Sequence, residues 1–257
     1  SDLTKMVYRW QDGEKGNQVF DQIAGKLRSC IVEGRDMAVY GRHHEMELLG
    51  GSFDAVSGNA DVLNAIRSMN AFGFEALVQP IDLVQKGAIV SFGSGGGVNV
   101  MVAQDADALK LHLATTENPW ESPIHIGRLP DDTTHHLAVS YTSGELFCAI
   151  DGRPASMTNL IKGTLAGWKG AKLRFGCDPG GGRTWRGRIK GIGLYARELT
   201  PAEVKADAEH WKAKLAARNP AKRLTLNVEL VEVPAVPDPT TIMPYRRTLL
   251  VGIYNVV

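Results

Sequence analysis

The sequence of 257 residues is poor in cysteine and has no excess of charge of either sign. Its three cysteines, Cys30, Cys148 and Cys177, form no Cys-x-x-Cys pair, which excludes zinc-ribbon, thioredoxin-type and c-type haem sites. An odd number of cysteines leaves at least one thiol unpaired. The sequence favours all three as small, apolar core residues.

The charges balance, with 29 basic against 28 acidic residues and a net charge of +1. Such a balance gives no bulk electrostatic preference for nucleic acid or for an anionic membrane, so neither is predicted as a partner. The longest apolar runs, such as residues 249–254, are too short to cross a bilayer. The sequence begins at Ser1 without a signal peptide and ends in a strand-like segment, and we expect the natural polypeptide to continue.

The most informative segment is residues 134–152. Leu137, Val139 and Tyr141 alternate with small or polar residues, and a Thr-Ser-Gly turn follows at 142–144. The alternation then resumes, and an Asp-Gly turn ends it at 151–152. Period-two alternation on both sides of a short glycine turn predicts a β-hairpin.

The rest of the chain up to residue 195 contains further short strand-like segments separated by glycine turns. They lie at 73–78, 88–92, 98–102, 108–113, 173–176 and 187–195. Because no helices alternate with them, they predict an antiparallel sandwich or barrel rather than a doubly wound α/β fold. A short helix is predicted at 60–69.

A second helix is predicted at 201–217. It begins with the capping box Thr200-Pro201-Ala202-Glu203, which has proline at the first helical position. After Pro220 the composition changes, and residues 233–239 contain three prolines, which excludes a central strand there. The sequence therefore predicts a sandwich over 1–218, including the helix, and a proline-containing extension over 219–257.

Three motifs occur in order: the hairpin at 134–152, Trp185-x-Gly187-x-Ile189, and the helix start Tyr195-x-Arg197-x-Leu199-Thr200. Together, over about residues 45–217, the chain resembles the bacterial laminin-G-like domains of the concanavalin A-like lectin and glucanase group. The resemblance implies an all-β jelly-roll sandwich with one C-terminal capping helix and an extended tail. It also implies that a first strand near residues 7–10 lies beside 189–195, and that the protein is extracytoplasmic, either periplasmic or secreted.

Relatives in this group often hold a structural calcium ion through an aspartate directly after the isoleucine of the closing strand. In this chain that position is Lys190. An ammonium group cannot ligate calcium, which requires oxygen donors, but its three N–H donors could satisfy the same acceptors. This departure argues against the calcium ion, and no other cofactor is predicted.

No constellation of catalytic residues stands out. Glycosidases with this fold use a Glu-x-Asp-x-x-Glu pattern, and the chain has only Glu45 and Glu47 close together. The adjacent pairs His43-His44 and His135-His136 lie in strand-like segments, where neighbours point to opposite faces. Neither pair can therefore chelate one metal ion by itself, and we predict that the protein is not an enzyme.

Two loops are candidates for ligand recognition. The loop at 176–185 contains Asp178, Arg183 and Trp185, and a second loop at 118–121 contains Trp120. A carboxylate, a guanidinium and an indole are residue types that bind sugars and peptides. For Trp185, packing in the core or at its rim is the favoured alternative.

The extension at 219–257 is a candidate for docking on another protein. A proline-rich arm followed by a lone apolar strand would be satisfied by adding to a partner's sheet edge. The residues predicted to contact the partner are Tyr245, Arg246, Arg247, Ile253 and Tyr254.

The sequence therefore predicts a non-catalytic binding or scaffolding module. It would be an accessory subunit that docks on a larger protein assembly, including one associated with a membrane. The alternative is a carbohydrate-binding, lectin-like module or an inactive relative of the glycosidases, with a glycan as its ligand.

Overall fold

The computed structural model describes residues 5–12, 32–55, 57–95, 97–218, 228–232 and 253–256. The chain divides into two compact units, Ser1–Leu215 and Ala216–Val257. The strands are, in chain order, β1 Met6–Gln11, β2 Val32–Arg35, β3 Ala38–Tyr40, β4 Met46–Leu49, β5 Ser52–Ala55, β6 Ala71–Pro80, β7 Lys86–Ser94, β8 Gly97–Asp105, β9 Ala108–Leu113, β10 Ile124–Arg128, β11 His135–Thr142, β12 Glu145–Ile150, β13 Arg153–Thr158, β14 Lys172–Phe175, β15 Arg186–Tyr195, β16 Val228–Glu232 and β17 Ile253–Val256. The helices are α1 Asn59–Met69 and α2 Pro201–Ala216, with a 3-10 turn at Leu165–Gly167.

Two antiparallel sheets form the sandwich in the first unit. Sheet A has the order β13-β12-β11-β6-β15-β4-β3, with β1 also paired to β15, and sheet B has the order β10-β9-β8-β7-β14-β5-β2. The predicted all-β sandwich with a C-terminal helix is confirmed.

The core lies between the two sheets, where alternate residues of each strand meet. In the hairpin β11–β12, Leu137, Val139 and Tyr141 point into the core, beside Phe74 and Ala76 of β6. The predicted hairpin is thus confirmed, with Thr142 paired to Glu145 around its turn. The residues that alternate with these point to the opposite side of sheet A, where Ala138 packs in a second apolar cluster.

The closing strand β15 pairs with two different strands along one edge. Its residues 186–189 pair with β4, and its residues 191–195 pair with β1. A β-bulge at Lys190 separates the two halves, because the extra residue shifts the register against β6. The expectation that the first strand lies beside the closing strand is confirmed.

Helix α2 covers part of the outer face of sheet A. Its Val204 packs with Met6, Ala138, Tyr195 and Leu199 in a second apolar cluster. At its start, Thr200 Oγ1 accepts a hydrogen bond from the backbone N–H of Glu203, at 3.2 Å, as the capping box predicts. None of the helices in the described residues is long and apolar enough to cross a membrane.

Two of the three cysteines lie in the described residues. Cys148 and Cys177 are both buried and free, as the sequence favoured. Burial raises the pKa of the Cys148 thiol to about 12, so this group stays protonated and unreactive at neutral pH. Cys30 lies outside the described residues.

In the second unit, β16 and β17 form an antiparallel ribbon, with Val228 opposite Val256 and Leu230 opposite Tyr254. The expectation that the last strand stands alone is therefore wrong. Its backbone groups are satisfied in part by residues 228–232 of the same chain. Of the predicted docking residues, Ile253 and Tyr254 lie in β17, whereas Tyr245, Arg246 and Arg247 lie outside the described residues.

A buried histidine links the central hairpin to its turns. His135 Nδ1 lies 2.8 Å from Asp151 Oδ2, and its Nε2 lies 3.1 Å from Asp131 Oδ1. Burial by itself lowers the pKa of His135, but hydrogen bonds and negative charge from Asp151 and Asp131 raise it above its ordinary value. Burial pushes the pKa of Asp151 upward, but the contacts with His135 and the His136 backbone lower it overall.

These pKa shifts predict a pH-dependent stability. The raised pKa of His135 stabilises the fold below the ordinary histidine pKa, and this stabilisation is lost as pH rises through the folded pKa. The lowered pKa of Asp151 stabilises the fold above the ordinary aspartate pKa. This stabilisation is lost as pH falls through the pKa of Asp151 in the folded protein. The contribution is therefore largest between about pH 4 and pH 6.5.

Replacing His135 by glutamine should lower the free energy of unfolding by about 1 kcal/mol in that pH range, and by less above it. Chemical denaturation of wild type and His135→Gln across the pH range measures this. His43→Gln, at an exposed turn, is the matched control and should leave the profile unchanged. If the free energy of unfolding of wild type and of His135→Gln depended on pH in the same way, the predicted role of His135 in pH-dependent stability would be wrong.

Candidate ligand-binding face

The outer face of sheet B carries a row of side chains that crosses five strands. Arg174 lies opposite both Asp54 and Ser91, Ser91 lies opposite Met101, and Met101 lies opposite His112. Their neighbours along each strand, such as Phe53, Phe92 and Leu111, point into the core. Period-two alternation therefore places this row on the outer side of sheet B, away from the core. Asp54, Ser91, Met101 and His112 are nevertheless buried there.

Trp120 lies over one end of this row. Its ring packs against the small apolar cluster of Ala88, Val98 and Met101. Its backbone carbonyl oxygen lies 2.9 Å from His112 Nδ1, and the two rings are 6.2 Å apart. The loop at 118–121 is thereby fixed onto β8 and β9.

His112 is held in its neutral form. Burial lowers its pKa, the nearby charges of Arg183 and Lys110 lower it further, and the hydrogen bond to Trp120 opposes these effects only in part. Because Nδ1 donates to the Trp120 carbonyl, the neutral ring keeps Nε2 as an acceptor. A hydroxyl or amide N–H is the kind of group that this nitrogen would bind.

The loop at 176–185 crosses the same face. Asp178 Oδ1 accepts a hydrogen bond from Gly182 N at 2.8 Å, and Asp178 Oδ2 lies 3.4 Å from Arg183 Nε. The backbone carbonyl of Arg183 accepts a hydrogen bond from Ala88 N at 3.1 Å. The structure therefore brings Trp120, Asp178 and Arg183 onto one face. We call these three residues, together with Met101 and His112, the Trp120 face.

Pro179 explains why this loop lies so close to sheet B. A Cβ atom at Gly93 would come within 2.7 Å of Pro179 Cγ, so only glycine leaves room for the loop. Arg174 Nη1 donates to the Pro179 carbonyl at 2.9 Å. The loop is thus held against sheet B at Pro179, as it is at Arg183.

Trp185 lies elsewhere. It is fully buried, and its indole N–H donates to Gln104 Oε1 at 2.6 Å. A side chain in this position does not reach a surface ligand, so its predicted ligand role is replaced by the packing alternative. It holds the end of the loop that carries Asp178 and Arg183.

The sequence did not identify the row on the outer side of sheet B, which consists of Asp54, Ser91, Met101, His112 and Arg174. Asp54 is fully buried, and its carboxylate lies 3.1 Å from Arg35 Nε, 3.3 Å from Arg174 Nε and 3.7 Å from Lys172 Nζ. The alternation in each strand indicates that these side chains point away from the core. Their proximity could not be predicted, because it depends on the register between strands.

The remaining sequence candidates for chemistry have structural partners. Glu45 accepts a hydrogen bond from His43 N at 2.7 Å, and Glu47 pairs with Arg188 at 2.8 Å. The described residues contain no group of three His, Cys, Asp or Glu side chains that could hold a metal ion. The carboxylates of Glu45 and Glu47 thus both have partners within the sandwich.

The calcium position of the resemblance is filled by a lysine. Lys190 Nζ, at the bulge of β15, donates to Thr134 Oγ1 at 2.6 Å and to Gln79 Oε1 at 3.0 Å. An ammonium group brings its own positive charge to these oxygens, and calcium would be repelled. The residues present do not fit a calcium ion.

Replacing Lys190 by methionine should lower the free energy of unfolding by about 1–3 kcal/mol, because Gln79 and Thr134 lose a charged donor. Chemical denaturation measures this change. The control Lys86→Met removes an exposed lysine paired with Asp105 and should cost less than about 1 kcal/mol. Wild-type Tm should be the same in calcium and in chelator, and a calcium-dependent rise in Tm would contradict the assignment.

The comparisons with known proteins agree with the fold. Residues 51–205 match the family model of the concanavalin A-like lectin/glucanases superfamily, laminin G type. No curated protein matches the chain by sequence.

Several solved structures share the fold. A binding domain of botulinum neurotoxin serotype D/C is 13% identical, with a TM-score of 0.61, over 80% of this chain and 52% of that one. A botulinum neurotoxin D/C binding domain in complex with rat synaptotagmin II is 14% identical, with a TM-score of 0.60, over 80% and 51%.

A third structure comes from work on cell entry of botulinum neurotoxin type C, described as dependent on two ganglioside molecules. It is 13% identical, with a TM-score of 0.59, over 80% and 51%. The chain thus spans about half the length of these proteins, and the likeness concerns the fold. Because the family model matches residues 51–205 and the structure has the sandwich fold, the chain belongs to the laminin G-type family of the concanavalin A-like lectin/glucanase superfamily.

Proposed function

We propose that the protein is a non-catalytic, extracytoplasmic accessory subunit that docks on a larger protein assembly through its second unit. The observation that supports this most is the β16–β17 ribbon. Leu230 and Val231 are neighbours in β16, so their side chains point to opposite faces of the ribbon. Both are exposed, at 50% and 55%. A two-stranded ribbon is at best marginally stable in water, and a partner surface would cover these two side chains.

The mode of docking follows from the ribbon's shape. A two-stranded ribbon offers backbone donors and acceptors at its edges, and a partner strand can pair with them. Ile253 and Tyr254 of β17, together with Tyr245, Arg246 and Arg247, are the residues that we propose for this contact. The proposed partner is a protein subunit of a larger assembly, and membrane-associated assemblies are among the candidates.

Deleting residues 219–257 should release the protein from its assembly while the sandwich stays folded. Co-purification from native membranes, followed by mass spectrometry, compares full-length and shortened protein. Deletion from 219 is preferred to a shorter deletion because it removes β16 and β17 together. Unchanged co-purification of a folded, shortened protein would contradict the docking proposal.

A pair of point variants sharpens this test. Leu230→Ser changes an exposed apolar residue of the ribbon, and Val84→Ser changes one that is 82% exposed in the first unit. We expect the first to weaken co-purification and the second to leave it unchanged. Equal effects of the two substitutions would argue that general surface hydrophobicity, rather than the ribbon, holds the assembly.

The Trp120 face supports a second candidate function, that of a lectin-like module that binds a glycan. An indole, a neutral histidine acceptor and a guanidinium converge there, which suits the apolar and hydroxyl faces of a sugar. The dependence of one structural relative on gangliosides is consistent with this candidate.

A glycan array followed by affinity electrophoresis tests the candidate. Trp120→Ala should reduce affinity by at least about tenfold, as is typical for an aromatic hot spot. Met157→Ala, an exposed residue of β13 in sheet A, is the control and should bind as wild type does. Absence of saturable binding by the wild type, or equal binding by Trp120→Ala, would contradict a glycan site at this face.

A further inference from the structure

A cluster of charged side chains lies on the outer side of sheet B, where β2, β5 and β14 meet. Arg174 of β14 lies directly opposite Asp54 of β5. Arg35 of β2 lies opposite Ser52, two residues before Asp54. Lys172 lies two residues before Arg174 in β14, which runs antiparallel to β5. Arg35 and Lys172 therefore approach Asp54 from opposite directions along its strand.

Asp54 holds the three cations together. Its side chain is only 1% exposed, and its Oδ2 lies 3.1 Å from Arg35 Nε and 3.7 Å from Lys172 Nζ. Its Oδ1 lies 3.3 Å from Arg174 Nε. A carboxylate is kept charged in a buried position only where positive charge lies close to it. One buried carboxylate thus fixes the positions of three cations.

The cluster has more positive than negative charge. Glu33 lies opposite Asp54 in β2, and when it is included, three cationic residues stand against two acidic ones. Arg35 Nε and Lys172 Nζ contact the same oxygen of Asp54, so they lie within about 7 Å of each other. Like charges at such a distance repel each other, and a bound anion would offset this repulsion.

Two of the three cations are accessible to a ligand. The side chains of Arg35 and Lys172 are 56% and 40% exposed, and among the described residues each forms an ion pair with Asp54 alone. Arg174 is less exposed, and its Nη1 donates to the Pro179 carbonyl at 2.9 Å. Because Arg35 contacts Asp54 through Nε, its terminal N–H donors remain for a ligand, as do N–H donors of the Lys172 ammonium.

We propose that Arg35 and Lys172 bind a phosphate or sulfate group, either as the free ion or as part of a small ester. The guanidinium of Arg35 binds two oxygens of the group side by side, and the ammonium of Lys172 binds a third oxygen from the other direction. A tetrahedral group has oxygens that point to both donors, whereas the two oxygens of a carboxylate lie in one plane. Asp54 and Arg174 position the two binding side chains.

Calorimetric titration of the full chain with inorganic phosphate, inorganic sulfate and phenyl phosphate tests the proposal. At least one of these should bind with a Kd below about 1 mM. Benzoate, which offers a carboxylate on the same ring, should bind at least about tenfold more weakly than phenyl phosphate. Tighter binding of phenyl phosphate than of inorganic phosphate would support an ester as the ligand, and equal binding would support the free ion. Absence of saturable binding by all three oxyanions, or benzoate binding as tight as that of phenyl phosphate, would overturn the proposal.

Variants of the two accessible cations locate the site. Arg35→Gln and Lys172→Met should each weaken binding of the oxyanion by about tenfold or more. Circular dichroism reports whether each variant is folded, and if Arg35→Gln does not fold, Lys172→Met decides. Unchanged binding by folded Lys172→Met would place the anion elsewhere.

Matched controls remove the same charges elsewhere on sheet B. Arg128→Gln changes an exposed arginine paired with Asp107, and Lys86→Met changes an exposed lysine paired with Asp105. Both should bind the oxyanion as wild type does, as should Trp120→Ala, because the site is separate from the Trp120 face. Equal losses in the cluster variants and in these charge controls would mean that net charge alone attracts the anion, and would contradict a site at Asp54.

Discussion

The bulge at Lys190 is the constraint on which the surrounding structure depends. It lets one strand, β15, pair with β6 along its length while it pairs with β4 before the bulge and with β1 after it. The ammonium of Lys190 binds Gln79 and Thr134 at this point, where a register shift would otherwise leave oxygens without donors. In this chain a side chain thus holds a position where relatives often use calcium.

The two halves of β15 lead to the two outer faces of the sandwich. Before the bulge, Trp185 enters the core and fixes the end of the loop at 176–185, which crosses sheet B beside Trp120. After the bulge, Gly191 and Gly193 leave room for Tyr195 and Trp211 above sheet A. The fold therefore presents two different outer faces: sheet B carries the Trp120 face, and sheet A is partly covered by α2.

Much of the fold could be predicted from the sequence because its information is local. Alternation over 134–152 predicted the hairpin, and Thr200-Pro201-Ala202-Glu203 predicted the start of α2. Trp120, Asp178 and Arg183 were predicted as ligand residues from residue type and loop position, and that role remains a proposal.

The relations between strands could not be predicted in the same way. His112 lies beside Met101 because of the register of the hairpin β8–β9. Glu75 lies near His136 because β6 pairs with β11, two strands that are far apart in the sequence. The pairing of β17 with β16 is a further case, since the last strand looked unpaired when its own composition alone was considered. His136 is buried, and its Nε2 lies 3.1 Å from Glu75 Oε1, a contact that the sequence does not predict.

We propose that the second unit binds a protein partner. Photo-crosslinking in native membranes, from a benzophenone amino acid placed at Val231 or at the more exposed Val84 of the first unit, is the most direct test of this binding. We expect a discrete crosslinked protein from position 231 and none from position 84. No adduct from 231, or the same adducts from both positions, would contradict it.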